Sequence, residues 1–195
     1  MKLYLTENSG NAYKVRLLLG LLKVHYEKVV VDFPSKEHKK PAFLALNPRG
    51  QVPVLEDGGR IFWDSSACLV YVARKHGGEQ WLPLDAADMA EVVQWLALAG
   101  NEIQYGLQLG RNIVRGARQG DLEACQAMGR TALGAMEQRL KNNDWLALAR
   151  PTIADLACYP YVALADEAKL PLAEYPAIRA WMKRLEALPG CTPRS

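Results

Sequence analysis

A turn-rich loop near the N-terminus carries the first residues that could do chemistry. Ser9 and Asn11 lie in the run ENSGN, between a strand-like segment and an amphipathic helix. A helix N-terminus presents unpaired N–H groups and a partial positive charge, which favour anions. A hydroxyl or amide there can donate a hydrogen bond to a thiolate and lower the thiol pKa from about 8.5. Either residue could instead only cap the helix. We expect Asn11 to be the N-cap, which would leave Ser9 free to face a ligand.

A second polar pair, Asp64 and Ser65, follows a predicted strand and begins a predicted helix. The serine can offer its hydroxyl and its backbone N–H to a carboxylate, while the aspartate offers negative charge to an ammonium group. Together they suit the two ends of a free α-amino acid. Considered alone, the pair is explained equally well as an N-cap.

A proline inside an apolar segment also needs an explanation. Pro53 is flanked by Val52, Val54 and Leu55, and proline has no N–H to donate to a sheet. The segment could be an edge strand, a bulge, or a bend with a cis peptide bond before Pro53. With a cis bond, the backbone N–H and C=O of Val52 would turn away from the sheet and could pair with an extended peptide ligand.

The elements that position these residues begin with a βαβ unit. Lys2–Thr6 alternates polar and apolar residues, and Tyr26–Phe33 is rich in valine and aromatics, as strands are. Between them, apolar residues fall at the spacing of one helix face: Val15, Leu18, Leu19 and Leu22. Strand, helix and strand in this order predict parallel pairing with a right-handed crossover.

The rest of the first 78 residues predicts a ββα arrangement. A weakly helical stretch at 34–46 precedes strands at 52–56 and 60–62, which the turn Asp57-Gly58-Gly59 joins. A helix at 65–75 then ends at Gly77, as glycine favours at a helix C-terminus.

The second half shows no strand pattern. Apolar residues recur at helical spacing in four segments, at about 86–110, 121–142, 152–167 and 175–188. Thr152 and Asp155 form a predicted capping box, which accounts for an acidic residue in an apolar helix without a catalytic role. Pro160 should bend that helix. The sequence therefore predicts an α/β domain over 1–78, a linker over 79–85 and an all-helical domain over 86–195.

Composition and charge exclude several functions. Half the residues are hydrophobic and 23% are charged, as in ordinary globular proteins. The net charge of +3 is too small and scattered for a nucleic-acid-binding face, and no apolar run is long enough for a membrane helix. The four separated cysteines fit neither a zinc site nor a disulfide framework. The N-terminus has no secretion signal, so we expect a cytoplasmic protein without nucleic acid, membrane or metal.

Three motifs in consistent order make the chain similar to the cytosolic glutathione transferases over nearly its whole length. They are NPRGQVPVL at 47–55, DSxAxxxY at 64–71 and TIADL at 152–156. An α/β half followed by an all-helical half is also the domain order of that family. The resemblance implies a thioredoxin-like N-terminal domain that binds glutathione, with a mixed sheet, and a helical bundle that supplies the electrophile site.

The resemblance also implies contacts with glutathione. The peptide bond before Pro53 would be cis, and the backbone of Val52 would pair with the cysteinyl part. Positions matching Asp64 and Ser65 hold the γ-glutamyl head, although the family more often has Glu or Gln where Asp64 stands.

Two further positions match the part of the site that meets the glycyl end of glutathione. Gln51 stands where many relatives have a lysine that faces the glycyl carboxylate, and glutamine forms this hydrogen bond without the strengthening of a charge. His38 matches a position that sometimes contacts the same end.

The N-terminal loop distinguishes the subclasses of the family. Tyr4 lies inside the first predicted strand rather than after it, and the loop has no cysteine, so neither a tyrosine nor a cysteine type is expected. The run SGNAYK at 9–14 resembles bacterial members with Ser/Thr-x-Asn-x-x-Lys, in which the hydroxyl residue, the asparagine or both stabilise the thiolate. We assign this role first to Ser9 and second to Asn11.

The resemblance implies attack of the glutathione thiolate on a hydrophobic electrophile, with glutathione as co-substrate and no cofactor. On the first long helix, Tyr105, Leu109 and Arg111 are the predicted lining of the electrophile pocket, although apolar positions there are more often core. Two alternatives stay open: glutathione-dependent reduction of disulfides or peroxides, and a non-catalytic glutathione-binding module. The family also implies a homodimer.

Overall fold

The N-terminal half folds as a four-stranded mixed sheet with helices packed against it. Its elements within the described residues, 1–192, are β1 (Lys2–Leu5), α1 (Gly10–Leu21), β2 (Glu27–Val30), α2 (Pro41–Leu46), β3 (Val54–Asp57), β4 (Arg60–Trp63) and α3 (Ser65–Val72) in this computed structural model. The strand order is β2-β1-β3-β4, with β1 parallel to β2 and the other two pairs antiparallel. The predicted thioredoxin-like order of elements is confirmed.

Two strand boundaries differ from those predicted. β3 begins at Val54, so Pro53 precedes the strand, and the predicted cis peptide bond between Val52 and Pro53 is present. β2 covers only part of the predicted Tyr26–Phe33, because it lies at the sheet edge and its one neighbour, β1, pairs with four of its residues. The paired part of β2 is therefore shorter than the valine-rich segment that predicted it.

The C-terminal half is helical throughout its described residues. Its helices are α4 (Ala86–Gly100), α5 (Leu109–Val114), α6 (Leu122–Leu140), α7 (Ile153–Val162) and α8 (Pro176–Glu186). Among residues 1–192, no helix is both long and apolar enough to cross a membrane.

Two of the four predicted helices are shorter than expected. The prediction of one helix over 86–110 is wrong. Asn101 has non-helical angles (φ −113°, ψ −89°), and a π-helical turn at Ile103–Gln108 follows. Gly100 and Asn101 are both poor helix formers, so the helix ends there at little cost. α7 likewise ends at Val162 rather than at residue 167.

One hydrophobic core joins the two halves, running from β1 and α1 through α3 to α4, α6, α7 and α8. A close contact fixes the start of α1: a Cβ atom added at Gly10 would lie 2.6 Å from Cε1 of Tyr161 on α7. Because no larger side chain fits between them, the N-terminus of α1 is held directly against the helical half.

Asp155 is the buried polar anchor of the helical half. Its Oδ2 accepts from the backbone N–H of Thr152 at 2.9 Å, which confirms the predicted capping box. Its Oδ1 accepts from the backbone N–H of Leu146 at 3.0 Å and from the indole N–H of Trp181 at 2.9 Å. Burial raises the pKa of this carboxyl, and these hydrogen bonds partly oppose the rise. Asp155 therefore also connects α7 to α8, through Trp181, and to the loop that precedes α7, through Leu146.

We predict that Asp155→Ala lowers the free energy of unfolding by roughly 3–5 kcal/mol, because three buried donors would lose their acceptor. Urea unfolding followed by circular dichroism measures the change. Asp144→Ala is the matched control: Asp144 is 74% exposed and pairs with Arg184 only at 3.6 Å, so a change of at most about 1 kcal/mol is expected. Equal effects of the two substitutions would contradict the anchoring role.

Candidate functional site

Two adjoining cavities lie where the sheet domain meets α4, α5 and α7. The small cavity, of about 160 Å³, is lined by Lys14, Asp64 and Ser65 among others. The large cavity, of about 470 Å³, is lined by Ser9 and His38 and by residues of α5 and the turn after it. Four residues line both cavities: Asn11, Gln51, Val52 and Gln104. The two cavities therefore form one continuous site.

The structure brings together every residue that the sequence assigned to glutathione. Asp64 and Ser65 line the small cavity, and Ser9 and His38 line the large one. The remaining two, Gln51 and Val52, lie at the junction. Their roles in binding stay predictions, but their common location does not depend on the family resemblance.

Ser9, not Asn11, is the N-cap of α1, so that part of the prediction is wrong. Ser9 has an extended backbone (φ −80°, ψ 113°), and its Oγ accepts from the N–H of Ala12 at 3.1 Å. Gly10 is already helical, which places Asn11 inside the first turn. The hydroxyl of Ser9 still has its proton to donate. The cap hydrogen bond thus fixes the oxygen and leaves the donor for the cavity.

Asn11 makes side-chain contacts across the site. Its Nδ2 donates to Oε1 of Gln104 at 3.2 Å, and its Oδ1 accepts from Oγ of Ser65 at 3.5 Å. Asn11 therefore joins α1 to α3 and to the helical half, and both its polar atoms already have partners. The Nδ2 atom has a second N–H that these contacts do not use, so the order in which Ser9 and Asn11 were assigned to the thiolate stays a prediction.

Tyr4 is engaged away from the site. Its hydroxyl donates to Oε2 of Glu56 at 2.8 Å, within the sheet. Burial raises the pKa of Tyr4, and the hydrogen bond to Glu56 adds to the rise. A phenol whose pKa is raised and whose proton is already donated to Glu56 is poorly suited to stabilise a thiolate.

Asp64 has a strained backbone at the start of α3. Its φ is +76°, an uncommon value for a residue with a side chain, and such residues cluster at functional sites. Oδ1 caps the helix by accepting from the N–H of Ser66 at 2.9 Å, and Oδ2 pairs with Arg49 at 3.3 Å. Asp64 is thus an N-cap and a charge at the cavity wall, so the two interpretations of this motif are compatible.

Val52 lies just outside the sheet. The ladder between β1 and β3 ends at the pair Tyr4 and Val54, two residues beyond Val52. Its backbone amide and carbonyl therefore lie at the junction of the cavities, beyond the paired part of the strand. This is the geometry that pairing with an extended peptide requires.

His38 forms one wall of the large cavity. Its ring stacks on Phe33 with centroids 4.0 Å apart, and its buried Nδ1 has no hydrogen-bond partner within residues 1–192. Burial lowers the pKa of His38, and the positive charge of Lys39 lowers it further. Because Nδ1 is buried, it is not accessible to a ligand in the cavity, and the contact of His38 with the glycyl end of glutathione stays a prediction.

The three residues predicted to line the second-substrate pocket do not share one cavity. Arg111 lines the large cavity, where its Nε pairs with Oε2 of Glu167 at 2.6 Å. Tyr105 lines the small cavity instead, and Leu109 lines neither of the two. The reason is the helix face: the large cavity is lined by Gln104, Gln108, Arg111 and Arg115, at spacings of four, three and four residues.

Several lining residues were missed from the sequence. On the glutathione side these are Lys14 and Arg49, and on the helical side Gln104, Gln108, Asn112, Arg115 and Arg118. The helical group carried a detectable signal, since a polar stripe at helical spacing indicates a face turned away from the core. Lys14 lies within an apolar helix, and its position in the motif SGNAYK was the only feature of the sequence that marked it.

Lys14 is an almost fully buried cation beside the small cavity. It is 2% exposed, and its Nζ lies 5.5 Å from the ring centroid of Tyr161. Burial lowers the pKa of Lys14 to about 8, while Cys158 and Asp64 act in the opposite direction. The ammonium group therefore destabilises the fold near neutral pH, and it places positive charge behind a cavity expected to receive a carboxylate.

We predict that Lys14→Met raises the free energy of unfolding at pH 7 by up to about 3 kcal/mol, the equivalent of the lowered pKa. The contribution of Lys14 to the stability of the parent protein should rise between pH 8 and 10.5, because the unfolded chain holds a proton that the native lysine has lost; the cysteines, whose pKa burial raises, lower stability in this range equally in parent and variants. The variant should lack this rise in urea unfolding across that range. Lys183→Met, at an exposed lysine, is the control and should keep it. An unchanged slope in Lys14→Met would contradict the shifted pKa.

Comparison with known proteins identifies the family. Residues 8–75 match the profile of the glutathione S-transferase N-terminal domain, and residues 101–189 match that of the C-terminal domain. A probable glutathione S-transferase of Oryza sativa subsp. japonica, GSTF2, is 32% identical, covering 97% of this chain and 93% of its own. The disulfide-bond oxidoreductase YfcG of Escherichia coli is 29% identical, covering 92% of this chain and 87% of its own.

The fold comparison agrees with the sequence comparison. A possible glutathione S-transferase from Rhodopseudomonas palustris superposes with a TM-score of 0.91 and is 38% identical, covering 99% of this chain and 97% of its own. Both domain profiles match in order, and relatives above 30% identity extend over nearly the whole chain. The protein belongs to the glutathione S-transferase family.

Proposed function

We propose that the protein is a glutathione transferase that binds glutathione across the two cavities and directs its thiolate at an electrophile in the large one. The observation that carries this proposal is the position of Ser9. It caps α1 and lines the large cavity, while Val52 and Ser65 mark the path of an extended peptide into the small cavity. A thiol placed midway along that path would meet both a hydroxyl donor and a helix N-terminus.

The two ends of glutathione would be held by different groups. The γ-glutamyl carboxylate would accept from the N–H of Ser65, and from its hydroxyl once that proton has turned away from Asn11, in a cavity that Lys14 makes electropositive. The ammonium group of the γ-glutamyl residue would face Asp64. At the other end, Gln51 and His38 would donate to the glycyl carboxylate. Binding at both ends orients the sulfur before reaction, which is a large part of the catalytic gain available to a two-substrate enzyme.

Activation of the thiol follows from these positions. The hydrogen bond from Ser9 and the partial charge of α1 favour the thiolate, and the thiol proton passes to solvent. A fall of about two units in the thiol pKa would make the bound thiol mostly ionised near neutral pH. The sulfur then forms a bond to an electrophilic carbon, and the leaving group departs with the electron pair of the bond that breaks.

A second candidate function is glutathione-dependent reduction of a disulfide. Two observations favour it: similarity to the disulfide-bond oxidoreductase of Escherichia coli, and an open polar cavity beside Ser9. Here the thiolate would attack one sulfur of the disulfide and release the other as a thiol. A second glutathione thiolate would then attack the glutathione sulfur of the resulting mixed disulfide, which releases the remaining half of the substrate as a thiol and leaves oxidised glutathione.

We propose, from the family resemblance, that the protein forms a homodimer. Exposed large apolar side chains on β4, α3 and α4 support it: Ile61, Trp63, Val70 and Val93 are 37–49% exposed. Apolar side chains on neighbouring elements are typical of surfaces that become covered. Sedimentation equilibrium would test it directly.

The reaction type is tested by two assays on the same preparation. We expect conjugation of glutathione to 1-chloro-2,4-dinitrobenzene to exceed thiol exchange with a mixed disulfide of glutathione, each corrected for its uncatalysed rate. If thiol exchange is the faster reaction, the protein is assigned as a reductase and not as a transferase. Retention on immobilised glutathione without turnover in either assay would identify a binding module and refute both enzymatic functions.

The role of Ser9 is tested by a series that separates capping from catalysis. Ser9→Ala and Ser9→Gly both remove the hydroxyl, but glycine keeps most of the capping stability and alanine loses about 1 kcal/mol. We expect kcat/KM for the favoured reaction to fall roughly 10- to 100-fold in both variants, and its pH profile to shift upward, since both lack the donor. Asn11→Ala should have the smaller effect. Full activity in Ser9→Gly together with an inactive Asn11→Ala would reverse the assignment.

A further inference from the structure

We propose that the electrophile is an organic anion, bound through a carboxylate by Arg115 and Arg118 at the wall of the large cavity. This inference rests on the proposed function and names its substrate class. It starts from the charges of the lining. Four cations line the large cavity, Lys39, Arg111, Arg115 and Arg118, and the described lining residues include no aspartate or glutamate.

The apolar part of the lining is smaller than the polar part. Phe33, Pro34, Val52 and Tyr161 are its main apolar members, and the face supplied by α5 and the turns on either side of it is formed mainly by glutamine, asparagine and arginine. The hydrophobic electrophile expected from the family resemblance would find little apolar surface on that face. An electrophile with a negative charge would instead find donors and positive potential.

Two of the four cations are already engaged. Nζ of Lys39 donates to the carbonyls of Arg49 and Gly50 at 3.1 and 3.2 Å, on the side of the cavity assigned to glutathione. Arg111 is 7% exposed and its Nε pairs with Glu167 at 2.6 Å. Neither group offers a free fork of donors to a second substrate.

Arg115 and Arg118 remain available. Arg115 is 49% exposed, and its ion pair with Glu167 is long, at 3.7 Å, because that carboxylate lies closer to Arg111. The side chain of Arg118 makes no ion pair or hydrogen bond within residues 1–192. Arg118, which has no ion pair within residues 1–192, and Arg115, whose ion pair with Glu167 is 3.7 Å long, line the same cavity. Each guanidinium group can bind a carboxylate with two parallel hydrogen bonds.

The backbone holds the two arginines on the same side of the cavity. After α5 the chain reverses at Gly116, whose φ of +70° glycine adopts without strain. The N–H groups of Ala117 and Arg118 then donate back to the carbonyl of Asn112 at 2.9 and 3.2 Å. This turn returns residue 118 to the cavity that Arg115 lines, so their proximity is fixed by hydrogen bonds.

The arginines and Ser9 are placed by different elements that line the same cavity. Ser9 belongs to the loop before α1, whereas Arg115 and Arg118 belong to the end of α5 and its turn, and all three line the large cavity. A substrate that carries both a carboxylate and an electrophilic carbon would bind the arginines with one and meet the sulfur with the other. The charge would then orient the carbon toward sulfur as well as supply affinity.

A matched pair of substrates tests the proposal: 4-chloro-3-nitrobenzoate and the uncharged 4-chloro-3-nitrobenzamide. In both, the thiolate sulfur forms a bond to the chlorine-bearing carbon, chloride leaves with the electron pair of the C–Cl bond, and the thiol proton passes to the buffer. The readout is the ratio of kcat/KM for the anion to that for the amide, each divided by its uncatalysed rate constant.

We expect this ratio to fall about tenfold in Arg115→Gln and in Arg118→Gln, and further in the double variant, mainly through a higher KM for the anion. Arg130→Gln, at an exposed arginine outside the cavities, removes the same charge and should keep the ratio of the parent protein. A ratio that is the same in all four variants, or one that falls equally in Arg130→Gln, would overturn the proposal.

Failure of the proposed function can be distinguished from failure of this inference. If neither of these substrates nor 1-chloro-2,4-dinitrobenzene is conjugated, the transferase assignment fails; if 1-chloro-2,4-dinitrobenzene alone is conjugated, that assignment stands. Calorimetric titration of the glutathione-saturated protein with 4-chloro-3-nitrobenzoate then decides on the site. Saturable binding that weakens in Arg115→Gln and Arg118→Gln, but not in Arg130→Gln, supports an anion site, and absence of binding refutes it.

Discussion

The contact between the start of α1 and α7 is the constraint on which the site depends. Gly10 leaves room for the ring of Tyr161, and the ammonium group of Lys14 lies against the same ring one turn later. α7 is itself held by the buried carboxylate of Asp155. The helix N-terminus that would meet the thiol is therefore positioned by the helical half, and Ser9, as N-cap, is positioned with it.

The same contact explains why a buried lysine is tolerated. Desolvation makes the ammonium group of Lys14 unfavourable, and the aromatic face of Tyr161 and the carboxylate of Asp64 offset part of this cost. The result is positive potential beneath a cavity that would receive a peptide carboxylate. Further cations line the adjoining large cavity, which accords with the proposed binding of glutathione and of an anionic second substrate.

The sequence was sufficient for the fold because strong local patterns agreed with one another. Alternation in Lys2–Thr6, helical spacing after it, and the capping box at Thr152 and Asp155 each predicted an element that the structure contains. The cis bond at Pro53 could not be obtained from pattern alone, since an edge strand explained the same residues. It became the expected state only from the resemblance.

The details of the site were harder to predict, because they depend on tertiary contacts. Ser9 and Asn11 are both good N-caps, and the choice between them rests on the packing of Gly10 against Tyr161. The break at Asn101 and the π-helical turn after it change which side chains face the cavity, so that Tyr105 moves to the small cavity and Gln104 takes part in both. Arg118 reaches the site only through a turn that closes by backbone hydrogen bonds.

The N-terminus of α1, with Ser9 as its cap, would ionise the thiol of bound glutathione. The most direct measurement is a pH titration of the ultraviolet thiolate absorbance of glutathione bound to the parent protein, with the spectrum of the protein alone subtracted. We expect ionisation about two units below the ordinary thiol pKa of about 8.5. A bound thiol that titrates like free glutathione, in a complex shown to be saturated, would contradict this role of Ser9 and α1.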